Sequence, residues 1–480
     1  MQTLRPIPLN LIGPMREAGN APPVSVQHDP ATGKLRASFQ GADDSQVDRA
    51  VAAAIASGWQ HTSQATRRDA LTQLRDIIAN RAEEFATTIS LEIGAPIDFA
   101  RSAQVAAALD HLDATIAALP AALAEETLGT PEHRVRFEPV GVSALITPWN
   151  WPLNQVVLKL GAALAAGCAV VLKPSELASR TAGLLIECCV DAGLPAGAVN
   201  LLIGDGTTGA ALAAHPDIAN ISFTGSTRAG RQIAAVATQR FARTTLELGG
   251  KSANLIFADC DLPTAIRQGV AHCVRNAGQS CNAASRMLVE RTVYDEAVAI
   301  ATQMMWEVSV DHPARSGTHI GPQISYQQYQ RVQDLIAGGI EDGARLMVGG
   351  GGAPTNLGGG FYSRPTLFVD VAPDLELFQT EIFGPVLTMT PFDTEEQAIT
   401  LANATPYGLA AYIQTSDLVR ADRVACELRA GMVQINGTSR AQGAPFGGVG
   451  ASGWGREAGL WGIRAFQEIK SISGAAAQTP

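Results

Sequence analysis

Three side chains in this sequence stand in settings suited to covalent chemistry. Cys281 lies in Asn276-Ala277-Gly278-Gln279-Ser280-Cys281-Asn282. Small and amide-bearing neighbours keep a sulfur reachable and supply backbone N–H donors, whereas an apolar helix face buries an inert thiol. The alternative is a quiet core cysteine, because free cysteine is among the most buried residue types. Glu247 lies in Leu246-Glu247-Leu248-Gly249-Gly250, a carboxylate in an apolar strand followed by glycines that admit a close neighbour. A buried carboxylate has a raised pKa and can serve as a base near neutral pH; the alternative is a strand-end glutamate paired with an arginine. Asn150 lies in Pro148-Trp149-Asn150-Trp151-Pro152, where two prolines and two indoles fix the backbone. A rigid amide there either donates to a developing oxyanion or closes an Asx turn that caps the next helix.

Two further segments suit an anionic, sugar-bearing ligand. Phe223-Thr224-Gly225-Ser226-Thr227-Arg228-Ala229-Gly230 reads as a strand, a glycine turn and a helix start, which can receive a pyrophosphate or can be a plain strand–helix turn. Lys173-Pro174-Ser175-Glu176 follows the apolar run 170–172, at the strand end where open α/β sheets bind ligands, and Lys173 and Glu176 suit ribose hydroxyls.

The elements needed to position these groups are legible as alternation. Short apolar runs at 142–146, 169–172, 199–203, 221–223, 244–248 and 253–257 predict buried parallel strands, with helices over 179–192 and 226–237 between them. Upstream, Val47, Val51 and Ala54, then Leu71, Leu74, Ile77 and Ile78, predict two helices between Asp43 and Gly94. A glycine-rich stretch at 349–360 reads as a surface loop inside a second α/β region. Residues 131–138 and the tail after Ile469 read as extended arms of the kind that pair with a neighbouring subunit.

Composition narrows the class. At 480 residues with 46% hydrophobic side chains, two or three domains are expected, and 47 glycines suit α/β folds with tight turns. The net charge of −10 is dispersed, without the basic runs that bind nucleic acid. The seven cysteines form no paired CxxC clusters, so neither a metal site nor a disulfide framework is expected and a cytoplasmic location fits. The start lacks a signal-like apolar core, and no uninterrupted apolar stretch reaches membrane-spanning length, so no membrane association is expected.

Taken in order, these motifs resemble the aldehyde dehydrogenase family over nearly the whole chain. The likeness extends to Asp29-Pro30-Ala31-Thr32-Gly33, Glu381-Ile382-Phe383-Gly384-Pro385-Val386, Pro445-Phe446-Gly447-Gly448 and Ser452-Gly453-Trp454-Gly455-Arg456-Glu457. The resemblance implies that Cys281 is the nucleophile, Glu247 the general base, and Asn150 with the Cys281 N–H the oxyanion hole, with Lys159 and Glu457 relaying protons behind the base. It places Lys173, Ser175, Glu176, Gly206, Gly225 and Ser226 around a dinucleotide, with Ile146, Thr147, Pro148 and Trp149. Phe223, Thr224, Leu248, Gly249 and Glu381 complete that site, and Phe383 lies near the nicotinamide. NAD is the implied cofactor, with NADP as the alternative, because Glu176 accepts from a free 2′-hydroxyl and repels a 2′-phosphate.

The implied fold is α/β: a Rossmann-like dinucleotide-binding domain (1–120 and 140–249, rejoined by 453–468), a second α/β catalytic domain (250–452), and a small β oligomerisation arm (121–139 and 469–480). The implied assembly is a homodimer or homotetramer acting on a small aldehyde. A coenzyme-A-acylating dehydrogenase is the competing enzyme reading, disfavoured by the presence of Glu247; a non-catalytic relative is the competing reading of another class. Trp151, Ser280, Asn282, Arg440 and Phe446 are expected at the substrate. Departures from the usual pattern fall at Ser280, Arg228 and Arg440. Arg440 is expected either to clamp a carboxylate or sulfonate on the substrate or to be a solvated or interface arginine.

Overall fold

The computed structural model describes residues 4–474; residues 1–3 and 475–480, at the ends of the expected first domain and arm, lie outside the described residues. The apolar runs become strands Ser143–Thr147, Val170–Pro174, Val199–Leu201, Asn220–Thr224 and Arg243–Glu247, and every residue of the first four is buried. Burial on both faces explains why these runs are mostly apolar on both faces, with Asn200, Asn220 and Ser222 as buried polar exceptions. The five strands are parallel in the order 199–201, 170–174, 143–147, 220–224, 243–247. The chain therefore leaves strand 143–147 in one direction, then returns to its other side. That reversal opens a crevice beyond the carboxyl ends of 143–147 and 220–224, the place where doubly wound sheets bind ligands. Antiparallel strands Asn10–Ile12 and Met15–Glu17 extend one edge, and Gly453–Trp454 closes the other.

A second sheet has seven strands, in the order 345–348, 366–369, 386–392, 286–290, 253–256, 410–414, 432–435, parallel except for its first pair. The glycine-rich stretch lies in the long connection between strands Arg345–Val348 and Thr366–Val369. A third, antiparallel sheet joins Gln467–Ser473, His133–Pro139 and Glu126–Thr127, so the two arm segments pair with each other.

Three helices, not the two expected, occupy 43–94: Asp44–Ala56, Gln64–Asn80 and Ala82–Ile93. The chain breaks at Arg81 (φ −103°, ψ 17°) and restarts with Glu83 and Glu84 in the first turn. Phe85, Ala86, Ile89 and Ile93 carry the helical spacing that defines this third helix, which ends at Gly94 in the left-handed region. The helical run Ile97–Leu123 is long and apolar enough to cross a membrane, yet it packs along helices 64–80 and Pro152–Ala166.

Candidate active site

The loop that presents Cys281 is held in an unusual backbone. Asn276 and Ala277 have φ of 55° and 56°, followed by Gly278 at 74°. Left-handed backbone costs about 1–3 kcal/mol for a residue such as alanine and persists only where its surroundings enforce it. The amide side chains supply that enforcement. Asn276 Nδ2 donates to the Asn150 carbonyl (2.9 Å), Gln279 Nε2 to the Asn276 carbonyl (3.0 Å), and Gln279 Oε1 accepts from the Ile324 N–H (3.0 Å). A Cβ at Gly278 would stand 2.0 Å from the Gly384 carbonyl oxygen, so only glycine fits. Cys281 emerges half-buried on the wall of a cavity. Burial, then the negative fields of Glu381 and Glu247, push its thiol up to about 12, while the N–H groups of Asn282 and Cys281 favour the thiolate.

Asn150 is buried between the two sides of the molecule: Trp149 lines the cavity of the parallel-sheet crevice, and Trp151 lines the cavity that holds Cys281. Its Nδ2 donates to the Gln279 carbonyl (2.9 Å), which fixes the amide plane and leaves its second N–H uncommitted. The Asx-turn alternative does not hold, because no side chain caps the helix that begins at Pro152.

Glu247 ends its strand fully buried, and neither carboxylate oxygen has a hydrogen-bond partner among the described residues, so the arginine-paired alternative is not realised. Burial, then the nearby Glu457 charge, raises its pKa well above the usual carboxylate range, with Lys159, Arg456 and Arg440 opposing. A Cβ at Gly447 would lie 2.5 Å from Glu247 Oε1, so the Pro445-Phe446-Gly447-Gly448 motif leaves this carboxylate its space. Glu457 pairs with buried Lys159 and accepts from Ser222 Oγ (3.3 Å). Glu457 and Lys159 thus form a buried ion pair whose charges act on Glu247 without a hydrogen bond to it among the described residues.

The crevice cavity, about 740 Å³, is lined by Ile146, Thr147, Pro148 and Trp149 from one strand end and by Phe223, Thr224, Gly225 and Ser226 from the other. Lys173, Ser175, Glu176 and Gly206 complete the expected lining, together with Arg228 of the glycine-turn motif and with Gln328 and Arg331, which the motifs did not single out. Buried Lys173 donates to the Asp205 carbonyl (3.1 Å) with Glu176 4.0 Å away. Ser226 caps helix Thr227–Thr238 by accepting from the Ala229 N–H, leaving other first-turn N–H groups for an anion.

Leu248, Gly249, Glu381 and Phe383 lie outside that lining, with Phe383 and Glu381 touching its residues Trp149 and Arg331. Glu381 accepts from the Gly250 N–H (3.0 Å) and stands where a Gly249 Cβ would be 2.3 Å from its oxygen. Burial pushes Glu381 up to about 7, against the Gly250 hydrogen bond and the positive charges of Arg331 and Lys251. Phe383 packs edge-on to Trp149 with ring centres 5.4 Å apart, and Leu248 packs beneath Gly230.

The cavity on the Cys281 side is about 620 Å³ and contains Trp151, Ser280, Asn282, Arg440 and Phe446 on its wall. Trp151 Nε1 donates to Ser280 Oγ (3.0 Å), which ties the oxyanion segment to the cysteine loop. His111, His272, Tyr412 and Arg275 share this wall and were not anticipated. Arg275, next to Asn276, had a local signal and His272 lies three residues before it, whereas His111 and Tyr412 arrive from remote segments.

The profile of the aldehyde dehydrogenase family matches residues 20–472. A 3-succinoylsemialdehyde-pyridine dehydrogenase from a Pseudomonas species is 45% identical over 450 residues, covering 93% of this chain and 94% of the relative. Among solved structures, an aldehyde dehydrogenase from Bartonella henselae superposes with a TM-score of 0.95 at 44% identity, over 98% of this chain and 100% of the other. Aldehyde dehydrogenase C from Pseudomonas syringae, solved as a cysteine-to-alanine mutant with NAD+ and octanal, gives 0.96 at 42% identity with both chains fully covered.

Proposed function

The chain belongs to the aldehyde dehydrogenase family, and from that premise we propose that it oxidises an aldehyde with NAD through a thioester on Cys281, which water activated by Glu247 then releases as the acid. The observation that carries this reading is the position of Asn150, whose two neighbouring indoles face different cavities while its amide is fixed beside the cysteine loop. An aldehyde entering from the Cys281 side meets nucleophile and oxyanion donor together, with the dinucleotide crevice behind them.

Cys281 adds as its thiolate after its thiol proton passes to water; its own N–H and that of Asn282 favour this form, against the burial and negative fields that push the thiol up. A carbon–sulfur bond forms, and the carbonyl oxygen becomes an alkoxide held by the uncommitted N–H of Asn150. NAD, when bound, accepts the hydride that leaves this carbon as the carbonyl re-forms. Glu247 then takes a proton from water as that water attacks the thioester, the alkoxide again rests on Asn150, and the carbon–sulfur bond breaks. Glu457 and Lys159 are the outlet for the proton gathered by Glu247.

The crevice fits a dinucleotide on its own features: the strand reversal, the capped helix start and the Lys173–Glu176 pair. At Gly225 a Cβ would stand 2.5 Å from the Phe223 ring, so the turn can carry no side chain beside the phosphates. Glu176 directs the choice toward NAD over NADP. We assign 1–120, 140–249 and 453–468 to cofactor binding, 250–452 to catalysis, and 121–139 with 469–480 to joining subunits into a dimer or tetramer.

The test is product analysis. Acid and NADH are expected to accumulate in equal amounts without coenzyme A, with NAD used better than NADP. A strict requirement for coenzyme A would overturn the hydrolytic step, and absence of NADH from every aldehyde in a broad panel would overturn the whole reading. Asn150→Ala is expected to lower kcat about 10²–10³-fold with a smaller change in KM. A loss under about tenfold would remove Asn150 from the oxyanion site.

A further inference from the structure

The cavity leading to Cys281 has a charge pattern that aldehyde oxidation alone does not require. Among the described residues its wall includes Arg275 and Arg440 and no aspartate or glutamate, in a chain whose net charge is −10. Arg275 is exposed at the mouth, its guanidinium 5.1 Å from the Phe99 ring centre and 5.5 Å from that of Trp151. Arg440 is half-buried further in, 4.8 Å over the Phe446 ring. Among the described residues, the one hydrogen bond it donates is a weak one to Met432 Sδ (3.4 Å). Neither guanidinium has a carboxylate partner within ion-pair distance among the described residues, whereas most other arginines do. The charges of Tyr412, Cys281 and Glu247 act on Arg440, which places it within electrostatic reach of the reaction centre.

A partly desolvated guanidinium without a counter-charge is costly, and that cost is recovered when an anion enters. Its planar set of donors matches a carboxylate in two parallel hydrogen bonds. The two histidines on the wall do not compete for this role: burial, then Arg440, holds His111 at about 4, and burial, then Arg275, holds His272 at about 4, so both are neutral at pH 7.

We infer that the substrate is an aldehyde bearing a carboxylate or comparable compact oxyanion at its far end, received by Arg440, with Arg275 drawing it into the mouth. This rests on the reading of Cys281 as the nucleophile for an aldehyde. A longer, neutral tail ending in a hydrogen-bond acceptor is the rival, and it uses the arginine as a neutral donor would.

The experiment compares an ω-carboxy aldehyde, its ω-sulfo counterpart and the ω-carboxamide of the same length. The wild type is expected to favour the carboxylate over the carboxamide by about ten- to hundredfold in kcat/KM. In Arg440→Gln this ratio falls toward one, chiefly through KM for the carboxylate, while Arg440→Lys retains part of it. No preference in the wild type, or an equal loss for both substrates in Arg440→Gln, overturns the inference; a preference for sulfonate over carboxylate keeps the anion site and changes its occupant. Protection of Cys281 from iodoacetamide, read by mass, reports tail binding without turnover. A dicarboxylate that protects better than the matching diamide supports the site even if no aldehyde reduces NAD, and equal protection overturns it.

Discussion

Cys281→Ala is expected to abolish NADH formation in the first turnover as well as in the steady state, by about 10⁴-fold or more. The reason is that both halves of the proposed reaction are written on one sulfur: hydride leaves only from a carbon bonded to it, and the acid is released only from its thioester. The substitution should leave the fold intact, because Cys281 is half-buried on a cavity wall and contributes little packing. Dinucleotide binding, followed by fluorescence titration, should therefore persist. Rapid mixing with NAD and aldehyde is the decisive measurement. Any first-turnover NADH at a rate near that of the wild type would mean that hydride transfer proceeds without the covalent adduct, and the mechanism would fall.

Glu247→Gln should separate the two halves. The first turnover should give one equivalent of NADH per active site at a rate close to or above that of the wild type. The reason is that removing the carboxylate removes a negative field that holds the Cys281 thiol up. Steady-state turnover should then fall by about 10²–10⁴-fold, as the thioester waits for unassisted water. Glutamine keeps the shape against Gly447, so the loss should not come from unfolding.

The sign of the pH effect follows from burial. Glu247 must be ionised to act as a base, and its pKa lies well above the usual carboxylate range, so wild-type turnover should rise with pH through that raised value. The same limb should vanish from the Glu247→Gln profile. Full steady-state turnover in the variant, or an unchanged pH limb, would remove Glu247 from the role.

The α/β class was legible because strands buried on both faces are rich in apolar side chains, and the runs near 142–257 are, with scattered buried polar residues such as Asn220, Ser222 and Asn254. The helix over 82–93 was missed because its apolar spacing follows the preceding helix after only one non-helical residue, Arg81, which periodicity alone does not register. For the site, the local strings around Cys281, Glu247 and Asn150 held their own signals: amides to pin a strained loop, glycines to admit close neighbours, prolines to stiffen a strand end.

What the sequence by itself determined, then, was the set of reactive groups and the backbone chemistry that lets each be presented, since both depend on residues within a few positions. Which groups meet was decided only by tertiary structure. Glu457 reaches Lys159 across 298 residues of chain, and Gly447 clears a space for Glu247 from 200 residues away, numbers that no local pattern encodes. The acid-free cavity wall is the sharpest case. Arg275, His111, Tyr412 and Arg440 come from four separate segments, and whether an arginine there is solvated, paired or left without a counter-charge depends on what the fold brings opposite it. Charge compensation acts through space, over a few ångströms, and chain order carries no record of that distance.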